Sequence, residues 1–182
     1  MKRNKKIVLV AHCILNCNSK VEGLSQYRGA LSEIVNLLVE RGIGIIQLPC
    51  PELTMYGIKR WGHVREQFDT PYFRKHCRQI FEPYLQQIKG YLASNYQILG
   101  LIGIDGSPSC GVNKTCSGNW GGELLEASVN KEKITTWEMI QARGVFIEEI
   151  ILSLKESQIE ISLTAIDEDN LKKSKEKIIN IL

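Results

Sequence analysis

Six cysteines, at positions 13, 17, 50, 77, 110 and 116, are the residues of this 182-residue sequence with the most scope for chemistry. In an oxidising compartment their even number would read as a disulfide framework. The start of the chain does not support secretion. Lys2, Arg3, Lys5 and Lys6 imitate the basic region of a signal peptide, but the apolar run Ile7 to Val10 is short and no small-residue cleavage site follows. Bulky His12 in front of Cys13 speaks against a lipoprotein site. The chain is therefore expected to be cytoplasmic, with reduced thiols. Thiols gathered in a reducing compartment bind soft metals, chiefly zinc or iron-sulfur clusters. The sequence lacks the Cys-x-x-Cys pairs of structural zinc sites and the dense cysteine run of bacterial ferredoxins. A cluster held by three cysteines stays open, and one of its irons would have no protein ligand and could bind substrate. The competing reading makes each cysteine a small buried hydrophobe.

Whether thiols so far apart in sequence can meet depends on the elements that carry them. Lys6 to His12 reads as a buried strand, and Leu31, Ile34, Val35 and Leu38 recur at helical spacing until Gly42. Ile43 to Leu48 is a second strand, ended by Pro49-Cys50-Pro51. Glu52 to Arg78 is polar, without a clean period, and reads as loop with short helical pieces. Phe81, Tyr84, Leu85, Ile88 and Leu92 restore helical spacing. Tyr96 to Ile104 makes a third strand, closed by Asp105-Gly106-Ser107-Pro108. Gly111 to Gly122 is a Gly, Asn and Ser loop. Thr135 with Glu138 offers a capping box for a helix carrying Ile140, Ile147, Ile151 and Leu154. Glu160 to Ile166 is a fourth strand, and Asp167 or Asp169 caps a last helix with Leu171, Ile178, Ile179 and Leu182.

This alternation predicts an α/β fold, a single three-layer domain over residues 1–182 with a mostly parallel sheet and helices on both faces. Open parallel sheets bind ligands outside the carboxyl ends of their strands. Cys13 and Cys50 directly follow strands one and two, and Cys110 lies six residues beyond strand three. Pro51 and Pro108 hold Cys50 and Ser107 in extended conformations, so both stand on stiff turns. Composition bounds the partners. The 23 basic and 20 acidic residues leave a net charge of +3, concentrated near the termini, which is no nucleic-acid footprint. No apolar run approaches the ~18 residues of a membrane span.

At Cys13-Ile14-Leu15-Asn16-Cys17, Cys50-Pro51-Glu52 and Ser107-Pro108-Ser109-Cys110-Gly111, the chain resembles the thiouracil desulfidase family, formerly a domain of unknown function. The three blocks occur in the family's order across roughly residues 7 to 111. Gly57-Ile58-Lys59-Arg60-Trp61-Gly62, followed by Glu66 to Pro71, marks a divergent branch. The resemblance implies a 4Fe-4S cluster on Cys13, Cys50 and Cys110, with the open iron taking sulfur from a small thiolated heterocycle or related thiocarbonyl compound. It also implies acid-base roles for Glu52 and Ser107. The plainer readings are a helix-start acid for Glu52 and a turn hydroxyl for Ser107. Where the family continues toward Arg-Tyr-Asp-Gly, this chain has Ser19-Lys20-Val21-Glu22-Gly23, and Leu53 to Gly57 replaces a Gly-rich tail. Both changes bear on the substrate pocket.

The remaining candidates have plainer readings. Cys17 is a fourth ligand only if it shares a face with Cys13, and a fourth ligand would close the open iron. Cys77 lies among Arg74, Lys75, His76 and Arg78, a setting that lowers a thiol's pKa if it reaches the sulfur, with an inert surface thiol as the default. Cys116 is a loop cysteine by default, and a lid lined together with Trp120 is its functional alternative. His12, His63 and His76 have no metal spacing. Two other functions compete with the desulfidase: a cysteine-persulfide sulfurtransferase, active without metal, and a non-enzymatic iron-sulfur sensor.

Overall fold

Four aliphatic residues in a row can all be buried only if both faces of their strand are covered. This is the case for β1, Lys6–Val10, in which Val8, Leu9 and Val10 have no exposed surface. Each such side chain contributes roughly 1.5–3 kcal/mol by leaving water. The computed structural model describes residues 2–123 and 130–182. In it β1 pairs in parallel with β2, Gly44–Gln47, on one side and with β3, Gln97–Ile104, on the other, and β3 pairs in parallel with β6, Leu163–Ile166. The sheet order is β2-β1-β3-β6. The α/β class and the parallel sheet thus match the sequence reading. Because the chain turns back past β1 to reach β3, the topological switch point lies between those two strands, where ligands of such sheets bind.

The helices hold the strands from both sides. α2, Ser32–Glu40, buries Ile34, Leu37 and Leu38, and the chain then turns at Gly42, which has φ +66°. α8, Leu171–Ile181, is capped by Asn170 and packs against β6 and β3; Asp167 instead caps the short 3-10 turn before it.

Several elements depart from the sequence reading. His12 does not extend β1. It opens a short helix, α1, His12–Leu15, which is followed by a 3-10 turn at Cys17–Ser19. The stretch read as loop holds α3, Pro51–Tyr56, and α4, Arg65–Phe68. α5 runs over Pro71–Ala93, starting well before the expected helix, with Pro71 in its first turn and Thr70 Oγ1 accepting from the Phe73 amide at 3.2 Å. Its polar residues conceal the buried series Phe73, Cys77, Phe81, Leu85 and Ile88. Cys77 is therefore a core residue, not a surface thiol, and burial raises its pKa, opposite to the electropositive expectation.

The Gly-rich loop contains β4, Thr115–Ser117, paired antiparallel with β5, Glu138–Ile140. Between them lies α6, Asn130–Lys133. Thr135 and Glu138 consequently form no capping box. The following helix, α7, Val145–Glu156, begins at Gly144. α7 and α5 pack together; Arg74 and Arg78 of α5 and Arg65 of α4 reach Glu148, Glu149 and Glu156 of α7, and Asp69, just after α4, accepts from Arg65 and Arg74. Among the described residues, no helix is long and apolar enough to cross a membrane.

Candidate functional site

The carboxyl ends of β1, β2 and β3 deliver Cys13, Cys50 and Cys110 to the wall of one cavity of about 600 Å³. Each thiol is set by a different local device. Cys13 lies in the single helical turn that leaves β1, where Tyr27 Oη donates to its carbonyl at 3.0 Å. Cys50 is the N-cap of α3, its sulfur 3.4 Å from the Leu53 amide that it accepts from. Cys110 ends a tight turn in which Ser107 Oγ accepts from the Ser109 and Cys110 amides at 3.3 and 3.0 Å. That turn is closed from behind by α7. The amides of Val145, Phe146 and Ile147, which have no partner within their own helix, donate to the carbonyls of Pro108 and Ser109 at 3.0 to 3.2 Å.

Burial raises all three thiols, and Cys13 and Cys110 also feel neighbouring sulfurs. Burial pushes the Cys13 thiol up to about 12, with the charge of Cys50 adding to the shift. Cys110 is raised well above its ordinary value by burial and then by Cys13 and Cys50. Burial and Glu52 raise Cys50. In such surroundings a thiolate is stable only beside a compensating cation, which is how metal-bound cysteines come to be deprotonated.

Among the described residues, no three His, Cys, Asp or Glu side chains stand close enough to hold a single metal ion. A zinc ion would draw its sulfurs to ~2.3 Å from one centre. A cluster places each cysteine on a different iron and so accepts thiols that line a cavity without meeting at a point. Three thiols lining one cavity are a donor set of the chemical kind that such a cluster uses.

Beside the thiols lies a polar chain. Glu52, on the first turn of α3, accepts from Ser109 Oγ at 2.6 Å through Oε1 and from Arg60 Nε at 3.3 Å through Oε2. Ser109 Oγ is also 3.5 Å from Cys110 Sγ and 3.3 Å from Ser107 Oγ. Of the two residues expected to do acid-base work, Glu52 is therefore directed into the site. Ser107 also lines the cavity, but its oxygen is engaged by the backbone of the Cys110 turn. Ser109, fully buried and in contact with the carboxylate, is missing from the sequence reading because nothing in Ser-Pro-Ser distinguishes its two hydroxyls. Arg60 stands out in the sequence only as part of a divergent segment.

Of the other cysteines, Cys17 and Cys77 lie apart from these three, whereas Cys116 shares their cavity. Cys17 is buried, donates to the Tyr27 carbonyl at 3.0 Å and faces a second cavity with Arg28, Lys59 and Trp61. Cys116 does line the thiol cavity, with Trp120, Trp137 and Met139; its sulfur lies 3.5 Å from the His63 carbonyl, and burial raises it to about 11. His12, the first residue of α1 rather than the end of a strand, meets the Leu48 carbonyl through Nδ1 at 3.2 Å, a contact that ties the ends of β1 and β2 together.

The rim of the cavity is charged. Lys114 Nζ meets Asp167 Oδ2 at 2.9 Å, and Lys20 pairs with Glu168. The turn after β6 is thus tied to the loops after β1 and β3.

No protein-family model matches the chain, and no solved structure matches it. Uncharacterized protein MJ0003 of Methanocaldococcus jannaschii is 43% identical to it over 112 residues, which is 62% of this chain and 71% of that protein.

Proposed function

We propose that this chain, which belongs to the same family as uncharacterized protein MJ0003, is an iron-sulfur desulfidase that hydrolyses the C=S bond of a small thiolated heterocycle or related thiocarbonyl compound. The observation that carries this reading is the arrival of Cys13, Cys50 and Cys110, from three separate crossovers, in one cavity with the Glu52 carboxylate. Cys13, Cys50 and Cys110 would hold a 4Fe-4S cluster. When bound, the cluster supplies an iron without a protein ligand, a Lewis acid able to accept the departing sulfur.

The chain's own residues handle protons. Replacing C=S by C=O consumes one water and releases one hydrogen sulfide, with no net oxidation. Glu52 Oε1 takes a proton from the water as it adds to the thiolated carbon and returns it to the leaving sulfur. Ser109 holds that oxygen through its hydroxyl and connects it to the Cys110 turn. Ser107 keeps the turn in shape through its two amide contacts. Trp120, Trp137 and Met139 give the cavity an apolar side suited to a flat, weakly polar ring. A reducing cytoplasm would keep the thiols available.

The test is anaerobic reconstitution followed by a sulfide-release screen over thiolated pyrimidines, purines and thioamides. Brown protein with about four irons per chain is expected, with cluster and activity lost in Cys13→Ser, Cys50→Ser and Cys110→Ser and retained in Cys17→Ser. Colourless protein with stoichiometric zinc overturns the cluster. Sulfur transfer by metal-free protein transfers the reading to the persulfide enzyme, and a requirement for Cys17 transfers it to the sensor.

A further inference from the structure

Arg60 stands between the two cavities and lines both. Its side chain is 3% exposed. A guanidinium withdrawn from water to that extent needs its donors satisfied. All three of its nitrogens are engaged: Nη2 donates to the Ser19 carbonyl at 2.6 Å, Nη1 to the Gly57 carbonyl at 3.2 Å, and Nε to Glu52 Oε2 at 3.3 Å. Two fixed backbone carbonyls therefore anchor the planar fork, and its remaining edge meets the carboxylate. A lysine could not reproduce three divergent bonds from one ammonium on a flexible stem.

The consequence falls on Glu52. Its two oxygens are made unequal: Oε2 is held by Arg60, and Oε1 is turned toward Ser109 and the Cys110 turn. A carboxylate at the start of a short helix would otherwise turn among several rotamers, and only some of them present an oxygen to the thiol cavity. We propose that Arg60 is a positioning residue that holds the Glu52 carboxylate in the one orientation useful for proton transfer; its effect on turnover rests on the desulfidase reading, whereas the clamp itself rests on the geometry. Misplacing a reacting group by about 1 Å can cost about 100-fold in rate.

The experiment compares Arg60→Gln, Arg60→Lys, Arg60→Ala and Glu52→Gln, and the double variants that join Arg60→Gln or Arg60→Ala to Glu52→Gln, in anaerobically reconstituted protein. Iron content, kcat and KM for sulfide release, and the Tm of iron-free protein are measured. For Arg60→Gln and Arg60→Lys, iron content and KM are expected to stay near wild type while kcat falls by roughly 10- to 100-fold. In the Glu52→Gln background Arg60→Gln should cost less than about threefold more, because the group it acts through is already gone. Exogenous guanidinium ion at millimolar concentration should restore part of the kcat lost in Arg60→Ala and none in Arg60→Ala/Glu52→Gln. Multiplying losses in the double variant, or iron lost in parallel with kcat in Arg60→Lys, overturns the proposal. If wild-type protein releases no sulfide from any probe, the desulfidase reading fails, and the stability cycle then decides on the clamp. Overlapping Tm losses for the two residues support it, and additive losses overturn it.

Discussion

At the scale of single residues, the site depends on which of two near-identical hydroxyls does what. Ser107 and Ser109 flank Pro108, and both reach the region of Cys110, yet their partners differ in kind. Ser107 Oγ serves backbone amides, in the manner of a cap. Ser109 Oγ serves the Glu52 carboxylate. The two alanine variants should therefore separate stability from activity. Ser107→Ala leaves two amides of a part-buried turn without their acceptor and should cost about 1 kcal/mol, a Tm loss of roughly 2–4 °C for a chain of this size. Ser109→Ala should change Tm less and lower kcat for sulfide release at least about tenfold, within the range of a group that supports acid-base catalysis. Equal kinetic losses in the two variants would return the role to Ser107. The sequence can name the Ser-Pro-Ser-Cys-Gly block but cannot divide its labour. The direction of each hydroxyl is decided by a turn that α7 braces from behind, from far downstream in the chain.

At the scale of elements, legibility follows hydrophobic contrast. The strands can be read because their β-branched and aliphatic runs are nearly uninterrupted, as in Ile7 to Val10 of β1 and in Leu101 and Ile102 of β3, all of them buried. The first half of α5 is hidden because Arg74, Lys75, His76 and Arg78 separate Phe73 from Cys77 and Phe81, so its apolar stripe is one residue wide. β4 and β5 are hidden because each has three residues and the ladder joins Thr115 to Ile140, a pairing with no local signal. The capping-box letters of Thr135 and Glu138 place the start of α7 too early, whereas the real start, Gly144, has no capping side chain. Gly144 is needed for space rather than for backbone freedom. A Cβ there would lie 2.4 Å from the Ser109 carbonyl carbon and 2.5 Å from its oxygen, both backbone atoms that no rotamer change can move. Gly144→Ala should cost about 1–3 kcal/mol through overpacking and push the Cys110 turn off α7. Iron retained after reconstitution should drop below half of the wild-type value. A variant with normal Tm and full iron content would show that the turn is not braced this way.

At the scale of the molecule, the β6 end of the sheet contributes no cysteine but secures the loops that do. Asp167 holds Lys114 from the loop after β3, and Glu168 holds Lys20 from the loop after β1. The Lys114–Asp167 pair is partly exposed and the Lys20–Glu168 pair more enclosed; a surface pair is worth about 0.2–1 kcal/mol, too little to set global stability but enough to change how often a loop opens. The double variant Asp167→Asn/Glu168→Gln keeps hydrogen-bonding side chains and removes both charges, and Asn can still cap the 3-10 turn that Asp167 caps now. Hydrogen exchange should then accelerate roughly fivefold at the amides of Ser19, Lys20, Asn113 and Lys114, which are bonded within these loops. The amides of Leu9 and Ile102, at the centre of the parallel sheet, should exchange at their wild-type rates. Acceleration spread evenly over sheet and loops would mean that the pairs support the whole domain, and no acceleration would mean that they support nothing. The expected pattern confines the effect to the carboxyl edge, where loops from four parallel strands must hold three thiols and a carboxylate in register around one cavity.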